Sequence, residues 1–161
     1  MTAPAYHLRP AEWGDLEAAF ALYVQVQEVH AAAEPAIFRP PQNDELFART
    51  FAGWLDDPGQ HMVFACRDGR PVGFVEYFLG LRPETAFVRE SPIAIINALV
   101  VDEGHRGQGC GTLLIEHVKE AARAEDVALL GIDVWSFNGP ARACFAKAGF
   151  KTGQEFLWQT L

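Results

Sequence analysis

Asn97-Ala98-Leu99-Val100-Val101-Asp102-Glu103-Gly104-His105-Arg106-Gly107-Gln108-Gly109-Cys110-Gly111-Thr112 carries an apolar run into a glycine-punctuated loop. A helical pattern opens straight after it: Leu114, His117, Val118, Ala121 and Ala122 recur at the spacing of one helix face. Glycines at 107, 109 and 111 permit a tight turn and, having no Cβ, let a ligand approach the backbone N–H groups. Those groups sit at a helix start, where unpaired donors and the positive end of the helix dipole favour an anion. Arg106 adds a fixed positive charge. The loop has neither the Lys-Ser/Thr pair of a triphosphate loop nor the spacing of a dinucleotide fingerprint. By itself it fits a plain turn as well as a phosphate cradle.

A second stretch removes much of that ambiguity. The strand-like Ala128 to Trp135 is followed by Asn138-Gly139-Pro140-Ala141-Arg142-Ala143-Cys144-Phe145-Ala146-Lys147-Ala148-Gly149-Phe150. Together the two stretches resemble the GNAT family of acetyl-CoA-dependent N-acetyltransferases. Arg106-x-x-Gly109-x-Gly111 matches that family's pyrophosphate loop, and Asn138-x-x-Ala141, the aromatic at 145 and Gly149-Phe150 match its second cofactor motif. The match is detailed over residues 95–150.

Composition suits a globular domain. The 161 residues suit one domain, 1–161, and half of them are hydrophobic. A net charge of −8 argues against a nucleic-acid surface and mildly favours a cationic substrate. Cys66, Cys110 and Cys144 are three and widely spaced, which reads as free thiols in a reducing compartment, with no zinc framework. No leader pattern or membrane-length apolar run occurs, so a cytoplasmic protein without membrane contact is expected.

In order, the chain predicts a strand at 6–9, an amphipathic helix from about Leu16 to about residue 30, and a proline-broken loop from His30 to Pro41. A second helix is expected to be capped by Asn43 and to end at Asp57-Pro58-Gly59. Strands at 61–66 and 72–79 flank an Asp68-Gly69 hairpin turn. Residues 93–101 and 128–135 read as buried strands around the helix that ends near Ala124. Asn138 caps the next helix, Gly149 stops it, and 150–161 is expected to form one or two closing strands. The fold class is α/β (α+β). The resemblance implies a mixed six- to seven-stranded sheet flanked by about four helices.

It also implies a site. Strands 93–101 and 128–135 would splay, and the pantetheine arm of acetyl-CoA, the co-substrate, would enter between them. Backbone groups of Leu99 and Val101, with Val100 between them, would pair with the arm. Arg106, Gly107, Gln108, Gly109, Cys110, Gly111 and Thr112 would hold the pyrophosphate. Asn138, Ala141 and Phe145 would border the arm. A plain N-cap is the alternative for Asn138, and Lys119 and Arg123 read as solvated charges or as 3′-phosphate ligands.

The chemistry requires a neutral amine and a departing thiolate. Here the sequence departs from the family. Phe145 stands where a proton-donating tyrosine is usual, and Asn97 stands where many relatives carry an acid. Glu76, a carboxylate inside the apolar run 73–79, is the substitute base or amine-binding group, with an exposed edge position as its alternative. Tyr77 is either an acid or a packing residue. Glu28, His30, Phe38 and Trp135 are placed as acceptor-pocket residues. The expected activity is transfer of acetyl to a primary amine of a small molecule by direct attack in a ternary complex, in a homodimer. The alternatives are a non-catalytic acyl-CoA-binding or sensing module and a peptide or protein N-acetyltransferase.

Overall fold

A computed structural model describes residues 6–159. β1 (His7–Pro10) leads through a short turn into α1 (Leu16–Ala33) and α2 (Glu45–Asp56). β2 (Gln60–Arg67), β3 (Arg70–Arg82) and β4 (Ser91–Val101) follow, then α3 (Cys110–Ala124), β5 (Leu130–Ile132) and α4 (Gly139–Lys147). The strands lie in the order β1-β2-β3-β4-β5; the first three ladders are antiparallel and β4–β5 is parallel.

Local chemistry explains most boundaries. Asp68 and Gly69 both have positive φ (51° and 75°), the conformation of a tight hairpin turn between β2 and β3. α1 runs past His30 because Ala31, Ala32 and Ala33 are strong helix formers, and it stops just before Pro35. His30 therefore lies in the last turn of a helix, not in the loop expected there. The cap of α2 is Asp44, not Asn43: its carboxylate accepts from the Phe47 N–H at 3.0 Å, while the Asn43 amide donates to Glu17.

Two cores sandwich the sheet. Ala19, Leu22, Phe47 and Phe51 of α1 and α2 cover Met62, Phe64, Phe74 and Val100 on one face. Cys110, Leu114 and Val118 of α3 cover Val63, Val75, Tyr77 and Ile96 on the other. α4 is tied to α3 by the Lys119 ammonium, which donates to the Ala148 carbonyl at 3.0 Å and to Glu116 at 2.7 Å.

The registers contain one decisive irregularity. Glu76 faces Ala98, but Tyr77 faces Ile96, so Asn97 is an extra residue in β4. This bulge puts Asn97 and Ala98 on the same side, toward α1 and α2, and reverses the facing of everything beyond it. Val100 thereby enters the core under α1, and Leu99 and Val101 turn toward α3.

The strand count differs from expectation. Five strands are present among the described residues, and β5 is three residues long where 128–135 was expected to pair. β4 bends away at the bulge immediately after Ile96, so residues beyond Ile132 have no ladder to join. No strand forms over 151–159: Lys151 to Glu155 offers no apolar alternation, and that stretch is exposed. Leu161 lies outside the described residues.

Gly73 shows how closely the layers meet. A Cβ there would lie 2.8 Å from the Val100 carbonyl oxygen and 3.2 Å from the Cys110 sulfur. Gly73→Ala is expected to cost about 1–3 kcal/mol in urea unfolding, the range for overpacking. Gly131→Ala, whose Cβ meets nothing closer than 3.9 Å, should stay within about 0.5 kcal/mol. Equal midpoints for the two variants would contradict this packing.

Candidate active site

The bulge and the short β5 open a gap along β4. The N–H of Asp102 donates to the Val72 carbonyl of β3, and antiparallel alternation then turns the backbone groups of Leu99 and Val101 away from β3. β5 pairs with β4 only over Ala94–Ile96, so these groups face the opening. The Val101 carbonyl is taken by the Arg106 guanidinium, whose Nε donates to it at 3.0 Å. That leaves the Val101 N–H and both backbone groups of Leu99.

The loop above the gap ends in an uncapped helix. Gly107 and Gly109 have φ of 71° and 88°, a conformation that strains any residue with a side chain. Gly109 is the N-cap of α3, with no side chain to satisfy the first-turn donors, and the surrounding loop is exposed. Those donors and the Arg106 charge face solvent together, which suits an anion. Cys110 is buried, and burial pushes its thiol up to about 11, so it stays a neutral packing group.

Sequence reading missed the residue that holds this loop. Gln25 of α1 donates to the Asp102 carboxylate at 2.9 Å and accepts from the Glu103 N–H at 3.1 Å and from Arg106 Nη2 at 3.3 Å. Nothing local marks a glutamine more than seventy positions away in the chain as a partner of that loop.

On the far wall, the Asn138 carbonyl accepts from the Ala141 N–H at 3.2 Å as the cap of α4. Its amide N–H groups make no other contact among the described residues. Phe145 is buried edge-on against Phe150, with ring centroids 5.9 Å apart, so no proton donor occupies that position.

Glu76 is not on an exposed edge. Its residue is 2% exposed on the α1/α2 side of the sheet, and the Asn97 amide donates to it at 2.8 Å. The same amide lies 3.3 Å from Gln60. Burial lifts the Glu76 carboxyl above its ordinary value, and the Asn97 hydrogen bond only partly opposes this. The carboxylate in turn helps to raise the Tyr23 phenol, which is raised first by burial. Tyr77 belongs elsewhere. It points to the α3 side, its hydroxyl lies 3.4 Å from His117 Nε2, and His61 stacks on its ring. These three side chains border a cavity of about 350 Å³ shared with β1 and β2, so Tyr77 does not meet Glu76.

Three of the four acceptor-pocket candidates come together. His30 stacks on Phe38 at 4.8 Å, and Phe38 meets Trp135 edge-on at 4.9 Å. Phe137 and Trp158 join them. Glu28 is exposed and makes no hydrogen bond or ion pair among the described residues. Behind Phe38 a cavity of about 290 Å³ runs between α1 and α2 to Tyr23 and Trp54.

The acetyltransferase (GNAT) family model matches residues 23–150, well over half of the chain. The chain belongs to the GNAT acetyltransferase family. The activity of that family is acetyl transfer. Solved structures agree in fold. A tetramutant of the BH1408 protein from Bacillus halodurans is similar at 22% identity and TM-score 0.91, over 96% of this chain and 99% of that one. The aminoglycoside N-acetyltransferase AAC(6')-Iy in complex with CoA matches at 15% identity and TM-score 0.76, over 100% and 99%. The aminoglycoside 6'-N-acetyltransferase AAC(6')-IG from Acinetobacter haemolyticus matches at 15% and 0.75, over 96% and 97%.

Because its pKa is raised, the Glu76 carboxyl makes stability fall as pH rises. Below its ordinary value of 4.5 both the native and unfolded chains hold the proton, and the group is neutral to stability. Above that value the unfolded chain releases the proton first, and the penalty grows until the raised native value is passed. The melting temperature of Glu76→Gln, relative to the parent, should therefore climb as pH rises above 4.5. A difference that is flat, or that grows toward acid, would show that the ionised carboxylate stabilises the fold.

Proposed function

We propose that this GNAT domain, spanning 1–161, moves acetyl from acetyl-CoA to a primary amine of a small molecule by direct attack. The observation that carries the reading is the line formed by the open β4 edge at Leu99 and Val101 and the uncapped α3 start at Gly109. An extended amide-bearing arm ending in a pyrophosphate is complementary to both at once. The free Asn138 amide suits a carbonyl of the same arm.

In this reading the amine nitrogen attacks the thioester carbon, a C–N bond forms, the C–S bond breaks, and coenzyme A leaves as thiolate. The new amide nitrogen gives up its second proton to water. A β4 N–H on the open edge, that of Val101 or Leu99, stabilises the carbonyl oxygen as it gains charge. Glu76 accepts the proton that the ammonium must lose, and Asn97 holds its carboxylate in place. A raised carboxyl pKa suits a base that works near neutral pH. With phenylalanine at 145, the thiolate takes its proton from water. An ordinary thiol pKa of about 8.5 makes that departure feasible. No step needs a metal.

Phe145 also supports a second reading, an acyl-CoA-binding module that has lost turnover. Coenzyme A release across an amine panel separates the two. Turnover above hydrolysis supports the enzyme, and acetyl-CoA binding without turnover supports the sensor. In either case acetyl-CoA should raise the melting temperature, by about 2.7 kcal/mol of stabilisation at a hundredfold excess over Kd. Gly109→Val should remove that shift, since a β-branched residue opposes φ of 88° and crowds the cradle. A folded variant with an unchanged shift would contradict the phosphate site.

We also read the protein as a cytoplasmic homodimer without nucleic-acid or membrane partners. Phe156 and Leu157, 82% and 85% exposed, support an association surface. Light scattering should give twice the chain mass, and a single-chain mass at all concentrations would exclude the dimer.

A further inference from the structure

Four aromatic side chains close into a ring at the mouth of the gap. His30 lies parallel to Phe38 (4.8 Å, 21°) and Trp135 parallel to Phe137 (5.7 Å, 22°). Two edge-on contacts join the pairs, Phe38 to Trp135 (4.9 Å, 76°) and His30 to Phe137 (5.6 Å, 73°). Trp158 leans on Trp135 from outside at 5.1 Å. The members come from the end of α1, the loop after it, the β5–α4 connection and the tail. All are half-buried or exposed, so this is a surface feature and not part of either core.

Its place follows from the topology. Ile132 pairs with Ile96, the last β4 residue before the bulge. Trp135, three residues on, therefore follows directly after the point where the two strands part. That is where the acetyl end of the donor lies if the proposed function holds, and the present inference rests on that reading.

The chemistry of the wall is one-sided. Burial lowers the His30 imidazole, so at neutral pH it presents a neutral ring. Glu28 and Asp133, the carboxylates two residues from His30 and Trp135, are exposed and make no ion pair or hydrogen bond among the described residues. Complementary negative charge is what matches a polycationic acceptor, whereas the wall itself is built of stacked and edge-on rings. Flat rings recognise other flat rings, or one cation, through stacking, edge-on contact and cation–π attraction. The cavity of about 290 Å³ behind Phe38 adds Tyr23, Phe47 and Trp54 to the aromatic surface, beside the polar Gln27, Arg39 and Thr50.

We propose that His30, Phe38, Trp135 and Phe137 form the acceptor subsite, and that the acceptor is a monoamine with an aromatic body, of the arylalkylamine class. Coenzyme A release from acetyl-CoA is measured with 2-phenylethylamine, tryptamine, spermidine and kanamycin, for the parent, Trp135→Ala and Trp135→Phe. The arylalkylamines should have the highest kcat/KM. Trp135→Ala should raise their KM about tenfold with acetyl-CoA affinity unchanged, and Trp135→Phe should recover most of the loss. Preference for spermidine or kanamycin, or an arylalkylamine KM indifferent to Trp135→Ala, would overturn the subsite while leaving acetyl transfer intact. If no amine turns over, calorimetric titration of 2-phenylethylamine into the coenzyme A complex decides the matter. Binding lost in Trp135→Ala supports the subsite even as acetyl transfer fails, and no binding overturns it.

Discussion

One inserted residue organises this molecule. Asn97 is the extra member of β4, and a strand cannot absorb an odd residue without reversing which way its side chains face. Before the bulge, Ile96 packs under α3; after it, Val100 packs under α1, and Leu99 and Val101 turn toward α3. The same bend ends the pairing of β4 with β5 at Ile96 and leaves the next strand edge open. It also brings a side-chain amide over Glu76. The opening, the unpaired backbone and the held carboxylate are thus three results of one backbone event. Bulges near active sites commonly serve to re-aim a side chain and to end a ladder, and this one does both.

Glu76 shows the tension between stability and chemistry. A carboxyl 2% exposed with one neutral hydrogen-bond donor is costly to ionise. A hydrophobic residue would pack between Phe74 and Phe78 of β3 without that cost. Keeping a carboxylate there makes sense at a site that needs a base with a raised pKa, and such perturbed groups concentrate at functional sites. Asn97 fits this account, since an amide can orient a carboxylate without forcing it to stay ionised.

What the sequence reveals follows the range of each interaction. Local chemistry is legible: the Asp68-Gly69 turn, the left-handed Gly109 and the Asn138 cap each depend on a few neighbouring residues. The run 93–101 announces a buried strand but hides its bulge, because every residue beyond Asn97 is apolar and suits either face. Without the bulge, nothing signals that β5 must stop at Ile132. His30, Phe38 and Trp135 are visible as separate aromatic candidates; that Phe137 meets His30 depends on folding across more than a hundred residues, and Trp158 joins through the return of the tail onto Trp135. The expected closing strands fail for a related reason: apolar residues at 156–158 suggest pairing, but Trp158 packs on Trp135 instead.

The central claim is that the β4 edge and the α3 start bind one extended ligand. Backbone amide NMR during a titration with coenzyme A tests it most directly. The account predicts saturable shifts, with a single Kd, at Leu99, Val101, Gly109 and Gly111, on both sides of the Arg106 loop. Shifts confined to surface residues away from these four, or separate affinities for the strand edge and the loop, would contradict it.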